Sequence, residues 1–186
     1  MNLKEHLEKQ TYDKGYQDIE CIGFEGYAKS SKSWENIKDL IDWKDKSIID
    51  IGSFHGYFCL KAEQAGAKFV IGIDKNEATV KTASMIAIES KTKVCDYFVN
   101  TANEWVNTHA QQFDLILCLN VFHHISDKDG FLKNLNKGQL MIMEIDKENE
   151  PKIEEYCNIL VRKLSHRASA YTGDTPNRLV LLVEKA

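Results

Sequence analysis

The chain has 186 residues, 43% hydrophobic and 28% charged, a composition that suits one globular domain with room for a sizeable core. Its formal net charge of −4 removes the general electrostatic case for nucleic-acid binding, which needs a basic stripe against the phosphates. Five cysteines without a CxxC pair speak against a zinc ribbon, a redox motif or a secreted disulfide framework; with no apolar leader in "MNLKEHLEKQ" and no membrane-length apolar run, the expectation is a cytoplasmic enzyme or binding domain that does not meet a membrane.

Residues 1–45 read as a polar, aromatic-containing extension with a helix over 33–40. Within it, "FEGYAKSSKSWENI" mixes Phe24, Tyr27 and Trp34 with Lys29 and Lys32, a set that either stacks on a base and meets a phosphate or packs as a cover over a pocket. From residue 46 onward, β-rich apolar runs alternate with helical patterns. Strands are expected at "KSIIDIG" (46–52), "KFVIGID" (68–74), "KVCDYFV" (93–99), "FDLILCLN" (113–120) and "QLMIMEID" (139–146), and their continuous apolar content implies burial on both faces, as in parallel sheets.

Helices are expected over 56–65, 76–89, 102–109 and 127–135, the last opened by Ser126 with Asp129 as a capping pair. A fifth, over 151–164, starts on Pro151 and carries Ile153, Tyr156, Cys157, Leu160, Val161 and Leu164 at helical spacing. The chain then closes with "RASAYTGD" (167–174) and "RLVLLVEK" (178–185), two runs too close in sequence to be parallel and therefore an antiparallel hairpin. The fold class is α/β: a doubly wound, mostly parallel sheet ending in an antiparallel hairpin. Arg162, Lys163, Arg167, Arg178 and Lys185 outnumber Asp174 and Glu184 near this end, as a solvated basic end or a local patch.

The first strand runs through Asp50 to Gly52 and turns into a helix at Gly56. Glycines there either let the backbone approach a ligand or merely make a tight turn, and the helix start offers amides and a positive dipole end. The second strand ends in Asp74, 24 residues after Asp50; that acid either accepts hydrogen bonds from both ribose hydroxyls of an adenosine, caps the next helix, or does both. The loop reads G-x-x-x-G with Phe54 where dinucleotide sites want a glycine against a pyrophosphate, so a ligand without a pyrophosphate suits it better.

Together, "SIIDIGSFHGYF", "FVIGIDKN" and "FDLILCLNVFHHISDKDGFLKNL" resemble the first, second and fourth motifs of the class I S-adenosylmethionine-dependent methyltransferases. The resemblance covers residues 46–186 and implies a seven-stranded Rossmann-like sheet; it is nearest to the subgroup with a G-x-x-x-G-[FY]-[FW] loop, which includes wobble-uridine tRNA carboxymethyltransferase-like proteins. It implies S-adenosylmethionine as cofactor, with Asp50, Gly52 and Gly56 around its methionine part and Ser53 and Phe54 in the loop wall. Asp74 would then hold the ribose, Lys75 or Asn76 would flank the adenine, and Thr101 with Ala102 would border its ring. Many relatives have an acid at Thr101, so a backbone amide or Asn103 stands in for the adenine contact; Asn120 and Val121 would line the cofactor at the fourth strand.

Methyl transfer needs alignment of nucleophile, methyl and sulfur, with a base only if the nucleophile must lose a proton. His123 and His124 are candidate catalytic residues, as base, substrate contact or structural packing, and Glu144 is a second polar candidate. No metal site is expected, because adjacent histidines on an extended segment point to opposite sides. The acceptor stays open between RNA, protein and small molecule, as does the oligomeric state. Two rivals remain: a catalytically silent S-adenosylmethionine-binding module serving a partner, and a nucleotide-dependent dehydrogenase, which would need a sixth parallel strand.

Overall fold

The computed structural model describes residues 3–9, 15–109, 113–165 and 178–186. Seven strands form one sheet: β1 (Ser47–Ile51), β2 (Phe69–Asp74), β3 (Cys95–Val99), β4 (Leu115–Leu119), β5 (Leu140–Asp146), β6 (Cys157–Leu164) and β7 (Arg178–Lys185), in the spatial order β3-β2-β1-β4-β5-β7-β6. The first five are parallel, and β7 enters antiparallel between β5 and β6. The order reverses between β1 and β4, and at such a switch point the helices on either side diverge and leave a crevice beyond the strands' carboxyl ends.

The helices are α1 (Leu3–Lys9), α2 (Ser30–Ile37), α3 (Tyr57–Gln64), α4 (Glu77–Glu89), α5 (Ala102–His109), α6 (Lys128–Lys133) and α7 (Glu150–Glu154). On one face of the sheet, Trp105 and Val106 of α5, Phe131 and Leu132 of α6 and Ile153 of α7 pack with Ile49, Ile116, Met141 and Leu181. On the other, Ile37 of α2, Trp43 and Tyr57, Phe58, Cys59 and Ala62 of α3 pack with Ile48, Val70, Leu117 and Leu182. Cover on both faces explains why β1 and β4 are buried throughout. β3 departs from that expectation: it is an edge strand, with Phe98 and Val99 exposed. No helix among the described residues is long and apolar enough to cross a membrane.

Three local expectations are corrected. The helix expected over 151–164 stops at Glu154, and β6 follows as the first arm of the hairpin with β7. Leu160 is the extra residue of a bulge in that pairing, and Leu160 and Leu164 are 51% and 70% exposed, so the six-residue stripe joins Ile153 of α7 and Tyr156 of the turn to residues from two faces of an edge strand. The run 167–174, read as the first arm, lies outside the described residues. The cap of α6 is Asp127, whose side chain accepts from Gly130 N at 2.8 Å, and neither Ser126 nor Asp129 does that work. Finally, α2 begins and ends three residues before the expected 33–40.

Candidate functional site

A cleft of about 590 Å³ opens at the carboxyl edge of β1, β2 and β4, within the roughly 300–1,000 Å³ usual for small-molecule sites. Its floor begins with Asp50, 2% exposed. Burial raises this carboxyl to about 7, a rise that the Cys59 thiol, donating at 3.5 Å, partly offsets and Asp74 reinforces. The acid is therefore poised near neutrality and would be held ionised by a cation placed beside it.

Gly52 follows at φ +68°, and a Cβ there would lie 2.5 Å from Val121 Cγ2. Glycine is thus demanded both by the left-handed backbone and by close approach of the β4 loop. Phe54 also sits at a left-handed φ of +53°, costly for a side chain of its size, and its amide donates to Asp74 Oδ2 at 3.3 Å. The loop therefore keeps a glycine-like turn at its overwritten middle position, stapled by the acid of the neighbouring strand.

Asp74 ends β2 and accepts a second amide, Asn76 N, at 2.9 Å. It does not cap α4: Asn76 does, accepting from Ala78 N and Thr79 N. Each Asp74 oxygen takes one N–H and keeps further acceptor capacity toward the cleft that it lines. Burial raises its pKa, while the two amides and Lys75 pull it down. Beside it, Thr101 and Glu104 form a reciprocal capping pair at the start of α5, with Thr101 Oγ1 donating to Glu104 Oε2 at 2.9 Å. Asn103 lines the cleft but gives its amide to Asp127 O and its oxygen to Ser126, so its side chain is occupied with α6.

Past β4, Asn120 adopts φ +59° and donates through Nδ2 to the Tyr16 hydroxyl at 2.6 Å, while its buried Oδ1 has no partner among the described residues. A buried, unpartnered acceptor on the wall of a polar cleft is where a ligand N–H would be stabilised. His123 and His124 follow in a 3₁₀ turn, Phe122–His124, with ring centroids 4.0 Å apart at 45°. They do not point to opposite sides, as an extended segment would have required; the turn brings the two tilted rings side by side. Both line the cleft. His123 is held below the ordinary imidazole value by partial burial and then by His124, Arg178 and Lys128, with Asp146 opposing. Among the described residues there is no cluster of three or more His, Cys, Asp or Glu that could hold a metal.

Glu144 lies inside the fold instead of on the cleft: 1% exposed, it accepts from Ser33 at 3.3 Å and Ser165 at 2.5 Å. Ser53 and Gly56 also lie off the cleft wall. Ser53 is buried against Gly72 of β2, and Gly56, at φ +82°, starts α3 against the Tyr97 ring. The other cofactor candidates, Asp50, Gly52, Phe54, Asp74, Lys75, Thr101, Ala102, Asn120 and Val121, share the one cleft.

The extension adds residues that no sequence signal marked. Gln17 Oε1 accepts from His55 N at 3.1 Å and Tyr57 N at 3.4 Å, and its Nε2 donates to Ser53 O at 3.3 Å. One buried glutamine thus serves the orphan amides at the start of α3 and pins the loop. Tyr16 sets its ring edge-on to Phe54 at 5.1 Å, and Tyr16, Gln17 and Ser30 line the cleft. Trp34, by contrast, packs on Trp43 at 4.9 Å against the α3 core, away from any ligand. Arg178 also lines the cleft. Topology could have found it: an antiparallel strand entering after five parallel ones starts at their carboxyl edge.

A family model described as a methyltransferase domain matches residues 42–179. Ubiquinone biosynthesis O-methyltransferase of Saccharophagus degradans is 35% identical over 83 residues, 45% of this chain and 34% of that protein. The tRNA U34 carboxymethyltransferase of Helicobacter pylori strain G27 is 28% identical over 123 residues, 66% of this chain and 47% of that protein. The chain therefore spans about a third to a half of the length of these curated relatives. Among solved structures, the bifunctional kinase-methyltransferase WbdD superposes with a TM-score of 0.74 at 19% identity, covering 98% of this chain and 46% of that one. An S-adenosylmethionine dependent methyltransferase from Mesorhizobium loti superposes at 0.65 with 13% identity, covering 83% and 98%. At these identities the likeness is one of fold.

Proposed function

The chain belongs to the class I S-adenosylmethionine-dependent methyltransferase family, and from that premise we propose that it binds S-adenosylmethionine in the β1–β2–β4 cleft and transfers its methyl group to an acceptor. The observation that carries this is Asp74, an acid at the end of β2 that anchors the adjacent loop through Phe54 N and keeps acceptor capacity for a ribose diol.

When bound, the cofactor supplies an electrophilic methyl on a sulfonium whose departure leaves a neutral thioether. The chain's own residues do the rest. Asp50, buried and poised near neutrality, would meet the ammonium of the methionine arm, and Asn120 Oδ1, without a partner among the described residues, would accept an N–H from the same arm. Lys75, Thr101 and Ala102 would border the adenine, and Phe54 with Tyr16 would shield the loop side from water. His123, held below the ordinary imidazole value by partial burial, is favoured in its neutral form and would take a proton from an acceptor that must lose one.

Titration calorimetry with S-adenosylmethionine, S-adenosylhomocysteine and NAD tests the reading. Micromolar binding of the two sulfur ligands and none of NAD is expected, since Phe54 stands where a dinucleotide loop wants a glycine against the pyrophosphate. Binding of NAD alone would overturn it.

A further inference from the structure

Beyond the residues of the proposed donor site, the cleft lining continues to Arg178 of β7. Strands lie about 4.8 Å apart, so the β2 and β4 ends that frame the proposed donor site span roughly 10 Å. β5 and β7 continue the same edge for about another 10 Å, and there the wall changes sign. Arg178, the first residue of β7, pairs in register with Asp146 at the end of β5 and donates Nε to its Oδ1 at 3.0 Å. That contact uses one of its five N–H groups, and the two terminal amino groups have no partner among the described residues. The Arg178 side chain is 16% exposed, and the residue lines the cleft.

His123 and His124 face the same stretch, with Lys128 close enough for its charge to act on His123. Among the described residues the acid set against these groups is Asp146, already engaged by Arg178 Nε. A partly exposed pair of this kind contributes about 0–1 kcal/mol to stability, too little to explain why a guanidinium should be enclosed there. A planar fork with its outer edge unpartnered is, in contrast, the geometry that meets a carboxylate or phosphate bidentately.

Resting on the methyltransferase reading above, we infer that the end of the cleft between the β4 loop and Arg178 of β7 holds the methyl acceptor through an oxyanion that the acceptor carries, a carboxylate or a phosphate, docked on the outer edge of Arg178 beside His123. Asp146 fixes the guanidinium plane, and Arg178 acts as a specificity-determining residue that places the acceptor's nucleophile between His123 and the donor site. Neutral acceptors of the same shape are disfavoured, because they offer the outer guanidinium donors no charged acceptor.

The test uses the full chain saturated with S-adenosylhomocysteine and three probes of similar size: phenyl phosphate, benzoate and benzyl alcohol. One or both anions bind saturably and shift the His123 ring resonances, while benzyl alcohol does not; the tighter anion identifies the oxyanion. Arg178→Gln weakens the anions at least tenfold and Arg178→Lys less, with S-adenosylhomocysteine affinity serving as the folding control. Equal anion binding by wild type and Arg178→Gln, benzyl alcohol binding as well as the anions, or no probe binding to a chain that does bind S-adenosylhomocysteine, would overturn the inference alone. Failure to bind S-adenosylhomocysteine would instead remove the reading beneath it.

Discussion

The two halves of the cleft are built by different means. At β1 and β2 the wall is mostly backbone: left-handed turns at Gly52 and Phe54, amides converging on Asp74, and a glutamine from the extension plugging the start of α3. Past β4 and at β7 it is side chains: paired histidines and an arginine whose terminal amino groups have no partner among the described residues. Backbone walls fix one ligand shape, whereas side-chain walls can be retuned one residue at a time. A transferase that keeps one donor while acceptors differ needs that division.

The largest expected effect lies on the backbone side. Gly52→Ala forces a Cβ into Val121 and a left-handed φ on alanine, so it should destabilise the fold by about 2–4 kcal/mol. Adding Val121→Ala should return the packing share and leave the backbone share. Urea unfolding of the single and double variants measures both, and no recovery in the double variant would mean that Val121 does not set the loop.

Asp50 comes next, and its effect depends on pH. Its folded pKa of about 7 lies above the ordinary carboxylate value, so ionising it costs stability as pH rises through the range between the two. Asp50→Asn should therefore be about 1–3 kcal/mol more stable than wild type at pH 7.5 while binding S-adenosylhomocysteine more weakly. In wild type, an ammonium ligand prefers the ionised acid, so affinity should fall by up to about tenfold per unit as pH drops below 7. Calorimetry from pH 5.5 to 8 checks this, and a slope that survives in Asp50→Asn would assign the proton elsewhere.

Gln17 separates the halves with a smaller effect. Gln17→Ala removes the acceptor of two amides at the start of α3 and should cost about 1–2 kcal/mol, the scale of a lost cap. It should weaken S-adenosylhomocysteine several-fold and leave phenyl phosphate binding at saturating S-adenosylhomocysteine within about twofold. Equal loss at both sites would join the halves into one unit.

The legibility of the two halves in the sequence follows the same division. The first five strands, the helices between them and the Asp50, Gly52 and Asp74 positions follow from continuous apolar runs punctuated by glycine and acid, because local pattern and fold agree there. Gln17 carries no local signal; its role arises from partners 36 to 40 residues away. β6 reads as a helix because an edge strand tolerates Leu160 and Leu164 on its solvent face, completing a helical stripe by coincidence. The histidine pair's side-by-side placement depends on a 3₁₀ turn that nothing in "NVFHHI" announces. Arg178 was visible as a basic residue but not as a cleft residue until β7 was placed beside β5.

The central claim, a donor site on the backbone-built half, is tested most directly by mapping amide resonances during titration with S-adenosylhomocysteine. Saturable shifts at Gly52, Phe54, Asp74, Lys75, Thr101 and Asn120 are predicted, with affinity reduced by about 1–3 kcal/mol in Asp74→Ala. Shifts confined to other parts of the sheet, or an affinity indifferent to Asp74, would contradict it.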